Sequence, residues 1–179
     1  MNTMRVMLTG ALLVATGMLA ACNGDDGNGG SSTPTSTALP TTNGATPATS
    51  PRVEEEVSAA YLRYWEVYAD AVYNLDQTGL EEAMTGSQLQ RTRDEIDGLR
   101  QRGRAAKIVV EHNFFVADLD AAAGTATIRD QYTNSSYEVD AETKEMVGGA
   151  APGTVVSDTY FLVKEGEAWK VRDGIRQGE

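Results

Sequence analysis

Four side chains in this sequence are of types that do chemistry and stand where a use can be named: Cys22, His112, Asp130 and Tyr132. Cys22 is the single cysteine and His112 the single histidine among 179 residues. One cysteine makes no internal disulfide and no thiolate zinc cage, and one histidine gives no His cluster for a catalytic metal, so neither a metal nor a cofactor is expected. What Cys22 can do is act as a nucleophile through its thiolate. His112 could serve as a general base, imidazole being the side chain suited to that role near neutral pH, although a lone histidine on an apolar strand face is more often a hydrogen-bonded filler. Asp130 and Tyr132 lie two residues apart, which in a strand presents an acid and a phenol on one face. A one-residue slip would turn both outward, and Asp130 could instead pair with Arg129 or Arg172 at the sheet edge. The formal charge of −11 excludes a basic nucleic-acid footprint.

The surroundings of Cys22 give it a context. Met1 to Arg5 form a short n-region with one positive charge, and Val6 to Ala20 a mostly apolar run of signal-peptide length. A spanning helix needs about 20 predominantly apolar residues, and this run ends in small residues followed by Asn23, Gly24, Asp25 and Asp26. The sequence Leu19-Ala20-Ala21-Cys22 resembles the bacterial lipoprotein lipobox, in which the cysteine thiol is acylated and the chain is cleaved before it. That resemblance implies a signal peptide over 1–21, a palmitate-type acyl anchor on Cys22, and a cell-membrane, extracytoplasmic location. More than one chain is needed for stable anchoring, which a diacyl or triacyl cysteine supplies.

Residues 22–51 read as the lipidated cysteine and a linker of Gly, Ser, Thr, Pro, Ala and Asn, with Leu39 its one large apolar side chain. Such a composition cannot offset its ordering entropy and, as a flexible chain, would span about 30 Å. The remaining residues, 52–179, make one ordinary domain.

The elements that must hold His112, Asp130 and Tyr132 are legible in the periodicity. Ser50 and Pro51 are a helix start, and Val53, Val57, Tyr61, Tyr64, Tyr68, Val72 and Leu75 then recur at spacings of three and four. Thr78 with Glu81, and Ser87 with Gln90, have the spacing of capping boxes and predict two further helices, the second running to about Arg102 with Gly103 beyond its end. Arg91, Arg93, Arg100, Arg102 and Arg104 interleave with acids, as on a solvated face. After Gly103 the period falls to two. Strands are predicted at 105–118, 125–139, 154–164 and 168–175, with Ile108, Val110, His112, Phe114 and Val116 inward on the first and Ala126, Ile128, Asp130 and Tyr132 inward on the second. On the last strand Trp169, Val171 and Ile175 are expected inside. Three helices followed by an antiparallel meander mean an α+β fold.

The helix carrying Tyr61-Leu62-Arg63-Tyr64-Trp65, the helical pair over 80–102, and the terminal hairpin from Tyr160 through Gly166 and Trp169 to Asp173 resemble the NTF2-like superfamily. The hairpin is similar to that of bacterial extracytoplasmic members and of the intermembrane-space domain of chloroplast-division proteins. The resemblance implies a cone in which three N-terminal helices pack on a curved four-stranded antiparallel sheet. It transfers no activity, because such folds host isomerases, dehydratases, adaptors and plain interaction modules. The expectation is therefore a membrane-anchored, non-catalytic protein-interaction or adaptor module. The alternatives are a carrier with an apolar small molecule in the cone, which needs a closed apolar cavity, and an isomerase or dehydratase, which needs His112, Asp130 and Tyr132 to converge on one pocket. The partner is an unnamed protein or small apolar ligand, with a homodimer also open and no nucleic acid expected.

Overall fold

A computed structural model describes residues 51–148 and 152–177. The signal peptide, Cys22 and the linker up to Ser50 lie outside the described residues. Helix α1 (Pro51–Asn74) starts on the proline, which loses nothing at a first helical position where its missing N–H would have no partner. It buries Val57, Tyr61, Tyr64, Ala71 and Val72 on one stripe. Among the described residues no helix is long and apolar enough to cross a membrane.

The short α2 (Leu80–Ala83) and α3 (Gly86–Gln101) follow. Their starts do not use the capping boxes read from the sequence. Gly79 and Thr85 occupy the N-cap positions and neither end has a side-chain cap. Ser87 Oγ instead donates to the Arg172 carbonyl, and Gln90 donates to Asp94. Tertiary packing decides this: Gly86 has φ +55°, and a Cβ there would stand 2.9 Å from Arg172 Cγ, so the helix begins where it can press on the last strand. At the other end Gly103, φ +62°, terminates α3 as expected.

The described residues form seven strands where the sequence predicts four: β1 (Arg104–Lys107), β2 (Val110–Glu111), β3 (Phe114–Asp120), β4 (Thr125–Asn134), β5 (Tyr137–Asp140), β6 (Thr154–Glu165) and β7 (Ala168–Arg176). β1 and β5 form a two-stranded piece; the other five make one antiparallel sheet in which β2 and β3 lie along β4, followed by β6 and β7. The expected first and second strands are nevertheless paired in one register, from Arg104↔Asp140 through Val110↔Asn134 to Phe114↔Asp130. The ladder is interrupted where a side chain takes the place of a main-chain partner. Val109 N–H donates to Ser136 Oγ at 3.0 Å, and Asn113 N–H donates to Asp130 Oδ1 at 3.0 Å.

Helices lie on one face of this antiparallel sheet, giving the mixed α+β architecture. The core joins Val57, Tyr61, Leu80, Met84, Ile96 and Leu99 of the helical side to Ile128, Leu162, Trp169 and Val171 of the strands. Ile175 is a correction. It is 51% exposed, because the register between β6 and β7 shifts between Phe161↔Asp173 and Leu162↔Val171, leaving Arg172 as the extra residue. A bulge reverses which residues face inward beyond it. Gly174 takes the inward place, with Tyr160 Cε1 only 3.0 Å from where a Cβ would stand.

Candidate functional site

β4 alternates as predicted, with Ala126, Ile128, Asp130 and Tyr132 buried and the residues between them partly or fully exposed. On the neighbouring β6, Asp158, Tyr160 and Leu162 are buried on the same face, and Asp130 is the register partner of Asp158. Two carboxylates, 2% and 8% exposed, therefore sit side by side beneath α1. Uncompensated, that would be severely destabilising, so each must be satisfied by its own donors.

Asp130 is the better satisfied. Its Oδ2 accepts the Tyr61 hydroxyl at 2.8 Å and faces His112 Nδ1 at 2.5 Å, while Oδ1 takes the Asn113 N–H. A carboxylate accepts here, so Nδ1 is the donor of this contact, and in the neutral imidazole Nε2 then holds the lone pair. Nε2 makes no hydrogen bond among the described residues. His112 lines a groove of about 420 Å³ whose other walls include Leu62, Trp65, Ala69 and Val109. An imidazole oriented by a carboxylate in this way is chemically competent to take a proton. The groove, however, offers Glu66 as its one other ionisable side chain.

Asp158 has a second set of donors. Tyr132 donates to its Oδ2 at 2.7 Å and Tyr160 to the same oxygen at 3.3 Å, with Arg176 Nε 3.5 Å from Oδ1. Thus the structure brings His112 and Asp130 together and takes the Tyr132 hydroxyl elsewhere. Tyr132 lines a cavity of about 270 Å³ between the α1 and α3 helices and the β4, β6 and β7 strands, which His112 and Asp130 do not line. The Trp65 ring packs against both clusters, 4.9 Å from that of His112 and 5.5 Å from that of Tyr132, and the His112 and Tyr132 rings themselves lie 5.8 Å apart. The Trp65 indole N–H lies near the Tyr61 hydroxyl yet makes no hydrogen bond of acceptable geometry.

Sequence reasoning misses Tyr61 as a polar partner, and misses Asp158 and Arg176 altogether. The period-two pattern run back from Leu162 through Tyr160 reaches Asp158, so the signal is present on β6. Neither Arg129 nor Arg172 pairs with Asp130. The arginine-rich face is solvated and neutralised: Arg91 pairs with Asp173, Arg93 with Glu81, Arg100 with Asp97, Arg102 with Glu138 and Arg104 with Asp140. Among the described residues there is no group of three or more His, Cys, Asp or Glu placed to hold a metal ion.

Burial holds five tyrosines of this cluster in the neutral form. It pushes the Tyr132 hydroxyl up to about 12, with the bond to Asp158 adding to the rise and Arg176 opposing it. Tyr61, Tyr64, Tyr68 and Tyr160 are raised further, again chiefly by burial. In the unfolded chain tyrosines titrate near 10, so above that pH the unfolded state releases protons that the folded state retains. Stability should be unaffected by this group below about pH 10 and should fall between about pH 10 and 12, by roughly 2–3 kcal/mol from Tyr132 alone. Thermal melts followed by circular dichroism across pH 9 to 12, with phenolate absorbance read in parallel, check this. A flat melting temperature with early phenolate absorbance would mean that the tyrosines are open to water.

No family model matches the sequence, and no curated protein matches it. Among solved structures, the intermembrane-space region of the chloroplast protein ARC6 superposes with a TM-score of 0.53 at 16% identity, covering 73% of this chain and 98% of that one. The likeness is one of fold alone. Aln2 from a Streptomyces species gives a TM-score of 0.44 at 15% identity over 71% of this chain and 90% of its own. Rv3472 from Mycobacterium tuberculosis, a protein of unknown function, gives 0.44 at 14% identity over 74% and 78%.

Proposed function

We propose that the chain is a membrane-anchored extracytoplasmic lipoprotein whose domain, an NTF2-like cone, is a non-catalytic binding module of the adaptor kind. The observation that carries the binding reading is the separation of the inward chemical groups. The Asp130 carboxylate is occupied on both oxygens by Tyr61, His112 and Asn113, while the Tyr132 hydroxyl is committed to Asp158. The donors around each carboxylate come from its own cluster, as in a structural network, and His112 and Tyr132 line different cavities. The cone assignment is supported by the likeness of fold to the ARC6 region, and the anchor by the lipobox residues Leu19 to Cys22.

A second reading has one observation in its favour: the unbonded Nε2 of an Asp-oriented His112 suits an isomerase or dehydratase. The two readings part in a comparison of His112→Gln and Asp130→Asn, scored for stability and for capture of whatever co-purifies from detergent-solubilised membranes, identified by native mass spectrometry. Lower stability with capture retained is the expected result. Normal stability with loss of a measurable turnover would replace the binding reading with the enzymatic one. The anchor is tested separately: Cys22→Ala should leave the membrane fraction, and retention after a carbonate wash would mean that residues 6–20 span the bilayer.

A further inference from the structure

The groove of about 420 Å³ beside α1 holds one polar atom that is both oriented and open. His112 Nδ1 is committed to Asp130 at 2.5 Å, and the His112 side chain is only 14% exposed. Its Nε2 makes no hydrogen bond among the described residues. Nor is it one of their sealed, partnerless side-chain atoms, which are Trp65 Nε1, Thr92 Oγ1, Asp158 Oδ1 and Trp169 Nε1. The Nε2 lone pair of the neutral ring is therefore reachable from the groove that His112 lines, and a buried carboxylate fixes its direction.

The remaining walls define what would use that lone pair. Leu62, Ala69, Ile108, Val109 and Val110 supply aliphatic surface, and Leu62 and Val109 are two of the six large apolar side chains that the described residues leave exposed. Apolar side chains gathered in one recess, unlike single scattered ones, mark a place of binding. The polar side-chain atoms open to the groove are acceptors, Nε2 within it and the exposed Glu66 carboxylate, because the Trp65 indole N–H is sealed. An occupant must therefore donate. Water at Nε2 gains one side-chain bond against apolar walls, so a hydroxyl carrying an apolar body keeps that bond and adds burial. An anion would face Glu66 and a lone pair. An ammonium ion would lose hydration against aliphatic walls, compensated only by a carboxylate that water screens.

We propose that this groove is a site for a small neutral hydroxyl compound with an apolar body. Its O–H donates to His112 Nε2, and its body lies against Leu62, Val109 and the Trp65 ring. The inference rests on the binding reading, in which the Asp130 network is structural, and names the ligand class that reading lacks.

The test uses the full chain in detergent at pH 8, with free probe set by equilibrium dialysis, and three probes: para-ethylphenol, its methyl ether para-ethylanisole, and para-ethylbenzylammonium. His112 is the only histidine in the chain, so imidazole nitrogen NMR resonances report on it alone. The phenol should move the Nε2 resonance upfield and bind at least about tenfold more tightly than the ether or the ammonium ion. Leu62→Asp, at an exposed helical position, should weaken the phenol by about tenfold without moving the melting temperature. His112→Phe should make phenol and ether equal; if that variant fails to fold, Leu62→Asp and the resonance shift decide. Equal binding of the ether or the ammonium ion, an Nε2 resonance that stays in place, or an affinity indifferent to Leu62→Asp each overturns the proposal. Proton NMR of the recovered phenol separates the two levels of the argument. Chemical conversion would fail the non-catalytic reading and leave the groove standing as a site, whereas absence of binding fails the site and leaves that reading untouched.

Discussion

Asp130→Ala should lower the unfolding free energy by about 3–5 kcal/mol, a large part of what holds a domain of this size together. The substitution removes the acceptor of three donors at once: the Tyr61 hydroxyl, His112 Nδ1 and the Asn113 N–H. Tyr61 is fully buried, so its hydroxyl meets no water when the carboxylate is gone. A buried donor left unpaired costs about 1–3 kcal/mol, and the half-buried His112 and exposed Asn113 add less because water can reach them. Asp130→Asn keeps the shape and one acceptor oxygen, and should cost about 1–2 kcal/mol. Urea denaturation at pH 7 measures both, with the slope unchanged if the unfolded state is unaffected. A loss below about 1 kcal/mol for the alanine variant would mean that water replaces the carboxylate and that the network is not a structural one.

Trp169→Ala should cost a comparable amount, about 3–5 kcal/mol, by a different mechanism. Trp169 is 5% exposed in the core cluster, opposite Lys164 in the β6 and β7 register and one residue from the turn at Gly166 and Glu167. The loss is one of packing, because the indole N–H is buried without a partner and no hydrogen bond is broken. Trp169→Phe should therefore be the milder change, retaining most of the apolar contact while removing an unsatisfied donor. If the phenylalanine variant loses as much as the alanine variant, an unseen partner of the indole is implied and the packing account is wrong.

The legible parts of this protein are those set by short-range periodicity. The tyrosine stripe of α1, the inward set Ile108 to Val116 and the set Ala126 to Tyr132 follow from spacing alone, and they bring His112 and Asp130 together. What spacing does not encode is where a ladder bond is surrendered to a side chain. Ser136 and Asp130 do this, and the expected first strand divides opposite both while the second divides at Ser136 alone. Bulges are similarly silent, and the one that leaves Arg172 unpaired turns Ile175 outward. Tyr61 reads as apolar because a tyrosine on a helical stripe has the ring that the pattern requires. Its hydroxyl acquires meaning only once a residue 69 positions away is opposite it. The capping boxes fail for a related reason: the start of α3 is set by contact with Arg172, which lies far beyond any helix-local signal.

The side-by-side placement of Asp130 and Asp158 bears on how faithfully the sheet assembles. A β4 strand shifted by one residue against β6 would still find main-chain partners along most of its length, so backbone bonding discriminates poorly between registers. The carboxylates do discriminate. After such a shift the Asp130 side chain would point away from α1, and Tyr61 would meet Gln131 or Arg129 in its place. The phenols and the imidazole would then lose their carboxylate acceptors, Arg129 offering none and Gln131 only an amide oxygen, at a cost of about 1–3 kcal/mol for each donor left unpaired. Misaligned sheets are thereby made uphill as α1 packs on them, so this acidic pair penalises the wrong alignment, and its replacement by two well-packed aliphatic residues should trade alignment fidelity for raw stability.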